Sequence, residues 1–207
     1  MVGNYSRGKP NGSKVHRFFI TGAAGFIGFH MAKLLLESGH IVCGYDCVSD
    51  YYDVKLKYKR IDILKKFEGF HFEKRDLENF DELLQIITKF DPNFVLHFAA
   101  QAGVRNSIDD PRAYLNANIN GTFNILEAVR QCENVKHLLI ASTSSVYGAN
   151  EKMPFAETDN ADNQISFYAA TKKSTEIMAH SHSHTYHIPT TMLRFFTVYG
   201  PWGRPDM

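Results

Sequence analysis

Six short runs, Phe18–Thr21, Ile41–Asp46, Phe70–Glu73, Phe94–Phe98, Leu138–Ser142 and Thr190–Phe195, separate longer segments of mixed polarity, and several of the runs are apolar at consecutive positions. A strand with one wet face alternates apolar and polar residues, whereas a strand covered on both faces has no polar side to show. The runs therefore read as strands buried on both sides. Between them, Phe26–Ser38, Val54–Phe67, Asp81–Phe90, Tyr114–Cys132 and Phe167–His187 space their apolar residues by three and four, as Ile119, Phe123, Leu126 and Val129 do. That is the period of a helix with one buried stripe. Alternating strand and helix imply an α/β fold, a Rossmann-type doubly wound parallel sheet with helices on both faces.

Composition excludes several partners. The 207 residues carry 23 Lys+Arg against 22 Asp+Glu, a net charge of +1, which makes no electrostatic case for nucleic acid or anionic lipid. No run approaches the roughly 18 apolar residues of a membrane helix, and the N-terminus lacks a signal-peptide core. Cys43, Cys47 and Cys132 are too scattered for a disulfide framework or a zinc site. A cytoplasmic protein without nucleic-acid or membrane partner is expected. Residues 1–15 are polar and read as a flexible tail, residues 16–207 as one domain. The stretch Val198–Met207 holds two prolines, two glycines and a tryptophan, poor material for a terminal element. From this a C-terminal lobe is expected to be largely absent.

Chemistry first shows in Thr21-Gly-Ala-Ala-Gly-Phe-Ile-Gly28, between the first strand and the first helix. Gly22 allows a tight turn, Gly25 lets backbone approach a pyrophosphate, and Gly28 permits close helix packing; the helix start then offers unpaired N–H groups to the anion. A ligand-free glycine turn is the bland alternative, and the strand-to-helix context outweighs it. Asp46 ends the second strand, where a carboxylate can accept from both hydroxyls of an adenosine ribose. With no Arg beside it in sequence, NAD is favoured over NADP. Asp76 suits an adenine contact or a strand-end cap equally. Lys55, Lys57, Lys59 and Arg60 read as a solvated helix face.

Tyr168 and Lys172 stand four apart at the start of a helix, on one face. A neighbouring ammonium and a positive nicotinamide favour phenolate, so Tyr168 could take a proton from an alcohol. Alone the pair is commonplace; with the glycine turn and the hydroxyls of Ser142-Thr143-Ser144-Ser145 it suits an alcohol-oxidising site. His180, His184 and His187 share a helix face at metal-ligand spacing, but the proposed chemistry needs no metal, and none is expected.

Together these motifs, with His97-Phe-Ala-Ala100 and Asn118-Ile-Asn-Gly-Thr122, resemble the extended short-chain dehydrogenase/reductase family, whose members act mostly on nucleotide sugars. The resemblance runs from Phe18 onward. It implies that Gly22, Gly25, Phe26, Ile27, Gly28, Asp46, Asp76, Leu77, Ala99, Ala100, Asn118, Tyr168 and Lys172 hold NAD, with Thr143, Tyr168 and Lys172 catalytic. Cys47 departs from the Asn that many relatives carry there. Within the family, Asp50-Tyr-Tyr-Asp53, Gln101-Ala-Gly-Val-Arg105 and the Arg194–Met207 stretch are most similar to UDP-glucuronate 4-epimerases. Sugar dehydratases carry Asp-Glu after the Thr, and decarboxylases a Glu at the second of those positions; here both are Ser. The likeness implies a UDP-hexuronic acid substrate touching Arg105, Thr143, Ser144, Ser145, Thr197 and Arg204, and leaves a homodimer open. The rivals are an epimerase of neutral UDP-sugars such as UDP-glucose, and a silent NAD-binding module.

Overall fold

The computed structural model describes residues 14–205, so nearly all of the expected tail lies outside the described residues. Six strands, β1 (Arg17–Thr21), β2 (Ile41–Asp46), β3 (Phe70–Lys74), β4 (Phe94–His97), β5 (His137–Thr143) and β6 (Thr190–Phe195), pair in the order β3-β2-β1-β4-β5-β6. Every pairing is parallel. The doubly wound sheet expected from the alternation is the sheet observed.

Successive residues along each strand supply opposite faces. Ile20, Val42 and Leu96 pack against Phe29, Ala32 and Leu36 of α1 (Phe26–Glu37) and Leu64 of α2 (Val54–Leu64). Their neighbours Phe19, Cys43 and Val95 turn the other way, onto Leu83 and Ile87 of α3 (Phe80–Phe90). That second face continues with Leu138 and Ile140 under Ile125 and Leu126 of α6 (Gly121–Val129) and Ala179 of α7 (Phe167–Tyr186). Two buried faces explain the consecutive apolar residues in the strands.

The expected helix Tyr114–Cys132 is not continuous. Two single-turn helices, α4 (Asn106–Asp109) and α5 (Pro111–Tyr114), lead into a π-helical turn at Leu115–Asn120, and α6 starts only at Gly121. Such wide turns cluster at functional sites. Here the turn accommodates Asn118, fully buried and bonded outside its own helix. Apolar spacing could not reveal it, because the residues on either side keep the helical period.

The last described residues do not trail away. His30 bonds Pro201 O at 2.8 Å, Trp202 packs on Phe29 with ring centroids 5.8 Å apart, and Arg60 donates to Trp202 O at 2.6 Å. A stretch that reads as poor terminal material is thus docked on α1 and α2.

Close backbone approach defines the start of α1. A Cβ on Gly28 would lie 2.1 Å from Gly22 O, and one on Gly22, at φ +70°, 2.7 Å from Ala99 N. Neither obstacle is a flexible side chain. Gly28→Ala should therefore cost about 1–3 kcal/mol or more. In a domain of this size that is a fall of roughly 2–4 °C in Tm for each kcal/mol, read by thermal denaturation. An unchanged Tm would mean that the turn has slack.

Candidate functional site

The connections leave β1 and β4 in opposite directions along the sheet, and beside that switch point a cleft of about 1220 Å³ runs across the C-terminal ends of the strands. Its floor is the glycine turn. Gly22 N donates to Tyr45 O at 2.9 Å and Gly25 N to Gly22 O at 2.9 Å. Gly25 precedes α1 without a side-chain cap, and Gly25, Phe26, Ile27 and Gly28 all line the cleft. The helix therefore meets the cleft with first-turn N–H groups that no side chain satisfies.

At one end of the cleft Asp46 closes β2. Its Oδ2 accepts from Ala24 N at 2.9 Å and its Oδ1 from Val48 N at 2.7 Å. Burial raises its pKa, opposed by these two N–H bonds and by the Lys57 and Arg60 charges. The solvated-face reading holds for Lys55 and Lys59, which are exposed, and is corrected for the other two: Lys57 is buried, and Arg60 is fully so. Lys57 Nζ donates to Ser49 O at 2.7 Å, and the Arg60 guanidinium to Ala24 O at 2.8 Å and the Tyr52 hydroxyl at 2.7 Å. Absence of an Arg next to Asp46 in sequence did not mean absence in space. Lys57, Arg60, Ile61 and Leu64 follow the three-and-four spacing of a buried stripe, a signal present in the sequence. Asp76 and Leu77 also line the cleft, and Asp76 Oδ1 accepts from Glu78 N at 3.0 Å. Asp76 thus closes the turn after β3 while standing on the cleft wall.

Ala99 and Ala100, in the loop after β4, line the cleft.

 Asn118 does not line it, contrary to expectation. Its side chain accepts from Gln101 N at 2.8 Å and donates to Gln101 O at 3.0 Å and Thr171 Oγ1 at 3.0 Å, tying the loop after β4 to α7. The side chain is spent on the protein, so Asn118 shapes the wall without touching the cleft.

Ser166 caps α7 by accepting from Ala169 N at 3.1 Å, which sets Tyr168 in the first turn and Lys172 one turn on. Both line the cleft with Thr143, Ser144 and Ser145, which follow β5 directly. Thr143 Oγ1 lies 3.2 Å from Ser145 Oγ and also hydrogen-bonds Tyr168. Burial raises the Tyr168 pKa, while the Thr143 bond and the Arg204 charge pull it down. The offsetting cation is therefore Arg204, where the sequence pointed to Lys172. Lys172, buried at 2% exposure, is lowered to about 8 by desolvation, partly opposed by Glu176.

Arg105, Thr197 and Arg204 complete the expected set on the cleft wall. Arg204 lies over the rings of Tyr51 and Tyr52, at 5.4 and 6.0 Å from their centroids.

Three supports were missed in the sequence. Tyr114, fully buried, stands edge-on to Tyr168 with centroids 6.0 Å apart and donates to Gly103 O at 2.7 Å. Glu176 accepts from Ser142 Oγ at 2.6 Å and from Arg194 at 2.9 and 2.8 Å, joining α7 to the ends of β5 and β6. His97 bridges Thr21 Oγ1 at 2.7 Å and Thr122 Oγ1 at 2.9 Å. Long-range pairs of this kind carry no spacing signal. Along α7, His180, His184 and His187 are exposed, and among the described residues no three His, Cys, Asp or Glu side chains converge as a metal site.

Sheet order, glycine turn and the Tyr–Lys helix define a Rossmann-type dinucleotide-fold domain. The chain belongs to the family described as GDP-mannose 4,6 dehydratase, whose model matches residues 19–206. It is 54% identical over 191 residues to a probable UDP-glucuronate 4-epimerase of Rhizobium meliloti, covering 92% of this chain and 56% of that protein. Protein CapI of Staphylococcus aureus is 55% identical over 191 residues, covering 92% of this chain and 57% of CapI. The UDP-glucuronic acid 4-epimerase of Bacillus cereus, solved with UDP-glucuronic acid and NAD, superimposes with a TM-score of 0.83 at 38% identity. That match covers 92% of this chain and 60% of the Bacillus cereus chain. The chain thus spans little more than half the length of these relatives. No helix among the described residues is long and apolar enough to cross a membrane.

His97 supplies a test of the buried network. Burial and the Lys172 charge push its pKa down to about 3 from 6.5, so the folded state holds it neutral. Between those values the unfolded chain binds the extra proton, and its contribution to stability is complete above pH 6.5 and lost as pH falls toward 3. His97→Gln should lose about 1–3 kcal/mol at pH 7 through broken hydrogen bonds. Its urea-unfolding free energy should also fall less steeply than that of the parent between pH 6.5 and 3. Parallel acid limbs would mean that another group carries the proton.

Proposed function

We propose that this chain performs NAD-dependent inversion at C4 of a UDP-hexuronic acid, interconverting UDP-glucuronate and UDP-galacturonate. The observation that carries the reading is one cleft lined by the glycine turn, by Thr143, Tyr168 and Lys172, and by Arg105 and Arg204. In this reading residues 16–207 are the NAD-binding domain with the Tyr–Lys site. A cytoplasmic location belongs to the same reading, and so does a homodimer, supported by Phe123 and Ile177 exposed on α6 and α7.

The residues suit NAD. Uncapped N–H groups at the start of α1 match a pyrophosphate, and the side-chain-free approach at Gly22, Gly25 and Gly28 leaves room for it. The Asp46 carboxylate at the end of β2 is placed for the adenosine ribose, with Asp76 and Leu77 beyond it and Ala99 and Ala100 along the wall. NAD bound there supplies a reversible hydride acceptor for C4. Tyr168 takes the proton of the 4-hydroxyl at its phenolic oxygen and later returns it. Thr143, with Ser144 and Ser145, orients that oxygen. Lys172 holds the nicotinamide ribose, and Arg204 and Arg105 hold the carboxylate or diphosphate.

Charge separates the alternatives. Among the described residues lining the cleft the carboxylates are Asp46, Asp76 and Glu78, all at the β2–β3 end. None stands beside Tyr168, where elimination or decarboxylation would use an acid, since Ser144 and Ser145 occupy those positions. The neutral-sugar alternative offers Arg105 no carboxylate on the sugar. A silent module has no use for both Tyr168 and Lys172 in one cleft.

The 207-residue chain should bind NAD more tightly than NADP in calorimetry, because the Asp46 carboxylate repels a 2′-phosphate. Asp46→Ala should weaken NAD and narrow the gap; equal binding of both by the parent would remove the claim. Turnover is measured on this chain extended by the C-terminal remainder of the Rhizobium meliloti relative. UDP-glucuronate should give UDP-galacturonate without net NADH and with little pentose, and UDP-glucose should react poorly. Tyr168→Phe should abolish that turnover with NAD binding nearly intact, and Thr143→Val should be milder. Dominant UDP-pentose in chromatography with mass detection would make the enzyme a decarboxylase, and faster reaction of UDP-glucose a neutral-sugar epimerase.

A further inference from the structure

The buried guanidinium of Arg60 has no part in the chemistry above. A desolvated arginine ordinarily needs a carboxylate partner. Arg60, at 0% exposure, instead gives its two Nη groups to oxygens from three separate stretches of chain, while its buried Nε has no hydrogen-bond partner among the described residues. Nη1 donates to Ala24 O at 2.8 Å, in the glycine turn, and to the Tyr52 hydroxyl at 2.7 Å, in the β2–α2 loop. Nη2 donates to Trp202 O at 2.6 Å, 142 residues away, with Gly203 O at 3.4 Å. Arg204 follows directly, and its guanidinium lies over Tyr51 and Tyr52, the second of these being the ring that Arg60 and Lys57 also flank, at 5.7 and 4.5 Å.

We propose that Arg60 is a positioning residue that latches the segment around Trp202 to the glycine turn and thereby sets Arg204 in the cleft wall. The latch couples the floor of the cleft to its wall. Ala24 and Trp202 share one rigid, planar donor group, so a ligand that orders the glycine turn also restrains the segment carrying Arg204. A lysine cannot replace it, because a single ammonium lacks the forked geometry that reaches acceptors on all three stretches. The latch itself stands on the contacts of Arg60; only its kinetic consequence rests on the epimerase reading.

Trp202 is the only tryptophan in the chain, so its fluorescence reports the latch directly. In the 207-residue chain, Arg60→Met should red-shift the Trp202 emission and raise its quenching by acrylamide, with the far-UV circular dichroism kept. Arg60→Lys should fall between Met and the parent, and NAD should reduce quenching in the parent but not in Arg60→Met. Unchanged quenching in a folded Arg60→Met protein would overturn the proposal. Should Arg60→Met fail to fold, Tyr52→Phe removes one acceptor and leaves the ring in place. Amide hydrogen exchange should then quicken together at residues 22–26 and 198–205, and acceleration confined to the Tyr52 loop would overturn the latch. In the extended chain, Arg60→Met should raise KM for UDP-glucuronate more than it lowers kcat, as Arg204→Gln should. An intact Trp202 response without turnover in the parent would sink the epimerase reading and leave the latch standing. Normal turnover and an unresponsive Trp202 would do the reverse.

Discussion

Ala24 is held from both sides of its backbone by opposite charges. The Asp46 carboxylate accepts its N–H, and the Arg60 guanidinium donates to its carbonyl. Around it Gly22 and Gly28 bring backbone against backbone at distances no side chain could share. The glycine turn is therefore fixed twice, by steric closeness and by a charged grip on the residue at its centre. Charge-assisted hydrogen bonds are the stronger kind, and in a dry setting they hold geometry more firmly than neutral ones. Everything that lines the floor of the cleft inherits its position from this turn.

The opposite wall is fixed by polar side chains that never reach the cleft. Asn118 clamps Gln101 and reaches Thr171, whose hydroxyl in turn donates to Tyr168 O at 2.8 Å. Glu176 joins Ser142, next to Thr143, with Arg194 on the neighbouring strand. Partners of Glu176 hold its pKa down despite burial, so it stays an anion one helical turn from Lys172. A buried ion pair adds little to stability compared with an apolar pair of the same volume. What this one does is set register: α7, β5 and β6 can meet in a single arrangement, the one that presents Thr143, Tyr168 and Lys172 together.

Legibility in the sequence followed the range of the interaction. Strands buried on both faces left runs of apolar residues, and the glycine turn left its three glycines, because both are local demands on consecutive positions. Tyr168 and Lys172 were readable for the same reason, being one helical turn apart. Asn118, which the family likeness implied at the cofactor, bonds instead to Gln101 and Thr171, 17 and 53 residues away, partners that no local pattern shows. Arg60 misled differently. Its charge suggested solvent, but its spacing with Ile61 and Leu64 already placed it on the buried stripe, and the period was the better guide.

Electrostatics along the cleft decide how a ligand can lie in it. The β2–β3 end carries Asp46, Asp76 and Glu78 beside Lys57 and Arg75, a mixed surface suited to the hydroxyls and edges of a nucleoside. Away from it the cleft is lined by Arg105 and Lys172, with Arg204 over Tyr51 and Tyr52 between, and by no carboxylate among the described lining residues, so that part favours anions. On the proposed function, a sugar acid attached to a diphosphate puts its negative groups in that part, while the adenosine of the cofactor takes the β2–β3 end. The same asymmetry bears on the proton. Without a carboxylate beside Tyr168, its buried phenol is opposed first by the Thr143 hydrogen bond and then by the Arg204 charge. On the proposed function, a group that releases and recovers a proton is served by a neighbour that cannot itself take it, and an arginine, charged at every working pH, is such a neighbour.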